Sequence, residues 1–167
     1  RIVSIAGWII SFVFLWLLCA KYIGRIGTIT SLFFYTFSPL SVMTSRSFQP
    51  DQWMLTLTLG AIYFISKLSG RTERIHWYIF SILSLLLALL VKIPVIIFAF
   101  GPIAFLLLKI RTGIFLKFTY LAFALFPAII WYTFIFTNKE NIVFSDSFNR
   151  SYLFSTKLLT SFDYYST

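Results

Sequence analysis

Two cations and one carboxylate stand at the edges of long apolar runs. Arg46 and Asp51 lie in the polar stretch SRSFQPDQW (45–53), with Pro50 directly before the acid, and Lys92 opens the short stretch KIP (92–94). A carboxylate in a partly dry site can accept a proton from a hydroxyl or an amine, or hold a cation. Two cations beside it can grip a phosphate through charge-assisted hydrogen bonds. A lipid phosphate is the natural candidate, because its head group sits at the depth where apolar runs end. The same residues also have a plainer use. Arg46 and Lys92 can snorkel to the interface from apolar segments. Asp51 after Pro50 makes a good helix start, worth about 0.3 to 1 kcal/mol through the helix dipole. Residue type and spacing leave both readings open.

The elements that must position these residues are membrane helices. The chain is 59% hydrophobic and 11% charged, far below the charged fraction of a soluble domain. Its mean hydropathy is +0.89. Apolar runs long enough to cross a hydrocarbon core recur along it. The expected fold is all-α: a polytopic helical transmembrane domain of about six segments. These are Ile2 to Ala20, Ile26 to Met43, Trp53 to Ser66 (extended by Asp51 and Gln52 at its first turn), two short segments between Tyr78 and Leu108, and Phe118 to Phe136. The two short segments form a helical hairpin broken at Lys92–Pro94, because proline cannot continue the helical hydrogen-bond ladder. One unbroken span would strand Lys92 in mid-membrane at a cost of about 2.5 to 3.5 kcal/mol.

Charge asymmetry favours the broken hairpin. It gathers Lys21, Arg25, Lys67, Arg71, Arg74, Lys109, Arg111 and Lys117 on one side, with Glu73 the only acid. That side is expected to be cytoplasmic. Arg46, Asp51, Lys92 and the polar tail then face away from the cytoplasm. Residues 1–136 form the membrane part and 137–167 an extracytoplasmic polar segment. In a Cys19→Ser background, an impermeant thiol reagent applied to intact cells is expected to label a cysteine at Ser47 and not one at Thr72. The reverse pattern would overturn the topology and any site built on it.

The net charge of +9 does not point to nucleic acid, because the basic residues sit in short loops and form no patch. Cys19 has no partner for a disulfide in this chain and reads as a small packing residue. His76, beside Trp77, reads as interfacial, as do Trp8, Trp53, Trp77 and Trp131. There is no Cys/His cluster for zinc and no glycine-rich phosphate loop. Asn149-Arg150-Ser151 fits a short glycosylation sequon.

A pattern of motifs carries a resemblance. SPLSVMTSRSFQPD (38–51), an apolar span, a basic loop and then LSLLLALLVKIP (83–94) resemble the GT-C membrane glycosyltransferases. They are most similar to bacterial members related to the protein O-mannosyltransferases and to the aminoarabinose transferase of lipid A. In that family a Ser-Pro pair ends one span, an Arg and a Pro-Asp follow on the extracytoplasmic face, and a later span ends in a Leu-Leu-x-Lys-Gly-Pro-like turn. Here Ile93 replaces the glycine. PAIIWY (127–132) is similar to a Pro-Trp-Tyr element with two residues inserted, and FNRSY (148–152) to an Asn-x-x-Arg-Phe element with altered spacing.

The resemblance implies an integral-membrane enzyme that moves a sugar from a polyprenyl-phosphate donor to an extracytoplasmic acceptor: a lipid, a glycan or a protein. It implies Asp51 in a supporting or acceptor-positioning catalytic role, and Arg46, Lys92 and Arg150 in substrate binding. It places the protein in the bacterial cytoplasmic membrane with the site facing outward. The family's chief carboxylate lies in a loop expected upstream of Arg1, so the sequence reads as part of a longer protein. Some relatives use a divalent metal; no cofactor is assigned, because one carboxylate does not make a metal site. A lipid-linked sugar flippase or transporter, which also places charges at broken helices, is the alternative, as is a non-catalytic membrane subunit.

Overall fold

The computed structural model describes residues 2–39, 41–42, 50–68, 75–110 and 113–137. Among them the chain is all-helical, with six helices in order: α1 (Ile2–Tyr22), α2 (Gly24–Phe37), α3 (Asp51–Leu68), α4 (Ile75–Val91), α5 (Val95–Lys109) and α6 (Ile114–Thr137). Two stretches, Ile2–Tyr22 and Ile114–Ile135, are long and apolar enough to cross a membrane. Helices α4 and α5 are apolar but shorter. The chain divides into two compact units, Arg1–Ala128 and Ile129–Thr167. In the second unit, the end of α6 stacks Trp131 on Phe134 with ring centroids 6.5 Å apart. The polar segment from 138 onward lies outside the described residues.

Each helix boundary in the first unit has a local cause. Between α1 and α2 only Ile23 intervenes, and Gly24 takes a φ of 77°. That left-handed backbone is open to glycine at no steric cost, so the chain reverses at once. Helix α2 was expected to reach Met43 but stops at Phe37. Ser38 is extended at ψ 125°, because Pro39 disfavours the helical region for the residue before it. The break at Lys92–Pro94 is present. The Lys92 amide still bonds the Ala88 carbonyl at 3.1 Å, after which Pro94 has no N–H to give and α5 begins at Val95. Helix α6 starts earlier than the sequence indicates, at Ile114, so Lys117 falls on its first turns and not in a loop.

The first unit is turned inside out relative to a soluble protein. Large apolar side chains cover its exterior, among them Ile26, Phe34, Ile97, Leu108 and Phe118. Ser4, Ser11, Thr28, Gln52, Thr56, Thr58, Ser66 and Ser81 are buried between helices. Lipid tails are as apolar as leucine, so helix association rests on close packing of small residues and on interhelical hydrogen bonds. Ser4, Gly7 and Ser11 share one buried face of α1, and Gln52, Thr56 and Gly60 share one face of α3. The Thr56 hydroxyl donates to the Gly7 carbonyl at 2.8 Å. Further along, Phe14 sits with its ring 3.2 Å from where a Cβ on Gly60 would be. These contacts advance together along both helices, so α1 and α3 run parallel, with α2 folded back beside α1.

Helix α4 returns antiparallel to α3. The Ser81 hydroxyl donates to the Ala61 carbonyl at 2.8 Å, and Phe64 stacks on Trp77 at 5.7 Å. The apolar core lies here, where Ala61, Ile65, Ala88, Leu89, Val95, Ala99, Ile103, Tyr120 and Ala124 are almost wholly enclosed. Tyr120 of α6 reaches Ser81 at 2.8 Å, so one serine ties three helices together. Tyr120→Phe keeps the ring and removes the hydroxyl. It is expected to destabilise the protein by roughly 0.6 to 1.7 kcal/mol, the range of interhelical hydrogen bonds in bilayers, when unfolding is followed in mixed micelles. A variant as stable as the parent would show that this bond contributes nothing.

Candidate functional site

The α3–α4 register decides where Lys92 goes. The Ser81–Ala61 and Trp77–Phe64 contacts align the two helices so that the end of α4 returns to the start of α3. There the Lys92 ammonium forms an ion pair with Asp51 Oδ1. Asp51 occupies the first turn of α3, where the positive end of the helix dipole favours a carboxylate. Lys92 sits just past Val91, in the non-helical turn that Pro94 enforces. Both side chains keep some contact with the exterior, at 42% exposure for Lys92 and 27% for Asp51. Oδ1 itself is buried and makes no regular hydrogen bond, so the ammonium is its compensation. An ammonium carries three N–H donors, and one carboxylate oxygen does not exhaust them.

A polar cluster lies directly behind Asp51. The Gln52 amide donates to Ser11 at 2.8 Å and to the Tyr35 hydroxyl at 3.0 Å. Trp8 stacks on Tyr35 with centroids 5.9 Å apart and donates to Ser41 at 2.8 Å. Gln52 is 2% exposed. A buried amide with its donors used holds the first turn of α3 against α1 and α2, and with it the backbone that carries Asp51. Sequence alone does not reveal this cluster, in which Trp8 is half-buried. It leaves a trace there, however: serine, glycine and serine at 4, 7 and 11 face glutamine, threonine and glycine at 52, 56 and 60.

The opposite end of α3 is basic. The Lys21 ammonium donates to the Ser66 carbonyl and lies 3.4 Å from the Ser66 hydroxyl, and the charges of Lys67 and Lys109 bear on it. Among the described residues the two ends of the bundle thus differ in kind: an ion pair at one, lysines without a carboxylate at the other. His76 packs on Trp77 at 4.7 Å and belongs to an aromatic cluster with Phe80. Cys19 is buried.

Of the four residues singled out for the site, Asp51 and Lys92 come together. Arg46 and Arg150 lie outside the described residues. A divalent cation needs several oxygen ligands. Asp51 is the sole carboxylate among the described residues, and its buried oxygen already faces an ammonium. No group of three metal-ligating side chains forms among those residues, so the described part does not fit a divalent ion.

Apolar-coated helices with a charged turn at one end define a polytopic membrane protein. The profile of the dolichyl-phosphate-mannose-protein mannosyltransferase family matches residues 1–135, and the chain belongs to that family of integral-membrane glycosyltransferases. Membership implies transfer from a lipid-linked sugar donor. No curated protein and no solved structure matches the chain significantly.

Proposed function

We propose that the Asp51–Lys92 turn is part of the transfer site of a GT-C enzyme that works on the extracytoplasmic face of a bacterial cytoplasmic membrane. The donor is a sugar on a polyprenyl phosphate, and the acceptor offers a hydroxyl or an amine. The observation that carries this reading is the ion pair itself, built where a proline-broken hairpin meets a helix start.

In the reaction, the acceptor oxygen or nitrogen attacks the anomeric carbon of the sugar. The bond from that carbon to the lipid phosphate breaks, and the phosphate leaves with the electron pair. The acceptor proton passes to a carboxylate base, which must stand within hydrogen-bond reach of it. Lys92, with Arg46 and Arg150, neutralises the charge that grows on the leaving phosphate, the kind of stabilisation that contributes most in a water-poor site. Asp51 orients the acceptor and holds the Lys92 ammonium in place.

Its test is a transfer assay on the full-length protein in membranes with a panel of polyprenyl-phosphate sugars. One donor is expected to yield glycosylated acceptor and free polyprenyl phosphate in equal amounts. Donor that crosses the bilayer intact, with no sugar released from its phosphate, would replace the transferase by a flippase.

A further inference from the structure

The basic end of the bundle has a feature that sugar transfer at the other end does not use. Lys21 binds the carbonyl of Ser66, the neighbour of Lys67 on α3, and Lys109 ends α5, whose Phe105 and Leu106 line one groove with Leu18 and Tyr22 of α1. All three residues are exposed. Asp51 is the sole described carboxylate. It lies at the far end of α3, about 24 Å from Lys67 at the helical rise. Lys21 is anchored by the Ser66 carbonyl, and Lys67 lies over the Tyr63 ring at 5.0 Å. The three lysines thus end their helices on the same side of the bundle, and no carboxylate stands there among the described residues.

An apolar groove between α1 and α5 is lined by residues within one helical turn of Lys21 and Lys109. Leu18, Cys19, Tyr22, Ile62, Phe105 and Leu106 line it, and its volume is about 260 Å³. No polar surface interrupts it. The groove takes a hydrocarbon chain and the lysines at its mouth take an anion. A molecule that offers both at this spacing is a membrane lipid with a phosphate head group. Basic pockets between transmembrane helices hold such head groups.

We infer that Lys21, Lys67 and Lys109, with the α1–α5 groove, form a binding site for an anionic phospholipid of the leaflet at the basic end. The phosphodiester rests on the ammonium groups and one acyl chain lies along Leu18, Tyr22 and Phe105. The site is separate from the Asp51–Lys92 turn and does not depend on the reaction assigned there.

The test uses the full-length protein in nanodiscs of phosphatidylcholine alone and of phosphatidylcholine mixed with phosphatidylglycerol. Bound lipid is counted by native mass spectrometry, and thermal unfolding is followed in parallel. Lys67→Gln with Lys109→Gln is the variant of choice, because Lys21 also caps α3 and its loss confounds folding. The parent is expected to retain phosphatidylglycerol over phosphatidylcholine and to unfold at a higher temperature when it is present. The double variant is expected to lose at least about tenfold in that preference, in line with the attraction of each lysine to an anionic surface. Lys67→Arg with Lys109→Arg keeps the charge and is expected to keep the lipid. Equal retention of phosphatidylglycerol by the parent and the glutamine variant would overturn the site. So would the same protection from inorganic phosphate in pure phosphatidylcholine discs, since the groove would then play no part.

Discussion

Asp51→Asn and Lys92→Met are each expected to lower sugar transfer at least about tenfold, roughly 1.4 kcal/mol of barrier, with normal expression and membrane insertion. Asparagine keeps the shape of the aspartate and removes its charge. Methionine keeps the apolar stem of the lysine and removes the cation. Each substitution also leaves a partner without its ion pair, and that cost has to be separated from catalysis. Lys92 is 42% exposed, so its ammonium can rehydrate when Asp51 is lost, whereas Lys92→Met leaves the buried Oδ1 without its cation and carries the larger stability cost. Activity is therefore compared at matched protein level. A charge swap, Asp51→Lys with Lys92→Asp, sharpens the comparison. It restores an ion pair between α3 and the α4–α5 turn but exchanges the two ends. If the pair only clamps the helices, the swap returns transfer to the parental rate. A transfer site needs the cation where Lys92 stands and the carboxylate where Asp51 stands, so the swapped protein is expected to fold and remain impaired. Near-normal turnover in both single variants would defeat the site assignment and leave the family membership untouched.

Gly7→Leu is expected to destabilise the bundle by about 1 to 3 kcal/mol, the range for overpacking a closely packed interface, while Gly7→Ala is expected to be tolerated. A Cβ on Gly7 would meet Gln52 and Trp53 at 3.4 Å and Thr56 at 3.5 Å. That is ordinary van der Waals contact, and a single methyl fits. The further carbons of leucine have no room between α1 and α3. They force the helices apart, and the bonds from Thr56 to the Gly7 carbonyl and from Gln52 to Ser11 are lost with them. Because those bonds hold the first turn of α3, transfer is expected to fall along with stability. Unfolding of the two variants in mixed micelles measures the difference. A leucine variant as stable as the alanine one would show that α1 and α3 do not rely on close approach at this position.

The number and order of the six described helices were legible in the sequence because apolar runs and prolines act locally. Pro94 breaks the α4–α5 hairpin through its missing N–H, whatever surrounds it. Asp51 after Pro50 opens α3 for an equally local reason. The errors were at ends. The expected end of α2 lies six residues past the observed one because an apolar run continues past Pro39, and hydropathy carries no record of where a backbone turns. The start of α6 was read late because Lys117 was assigned to a loop, although a lysine on a first turn keeps its head near the interface by snorkelling.

The charged residues themselves, the asymmetry that sorts them between two ends, and the family motifs around Asp51 and Lys92 all belong to the sequence. Each depends on residue type, local spacing or a count along the chain. What the tertiary structure decided is which of those charges meet. The pairing of Lys92 with Asp51 follows from the register of α3 against α4, which Ser81 on the Ala61 carbonyl and Phe64 on Trp77 set far from either charge. The interior of the bundle was likewise invisible in composition. Scattered serines, threonines and one glutamine look like dilution of an apolar chain until the helices are packed. In lipid, the exterior has no use for them and the interhelical contacts do, because only there can a small polar side chain find a partner and let two backbones approach.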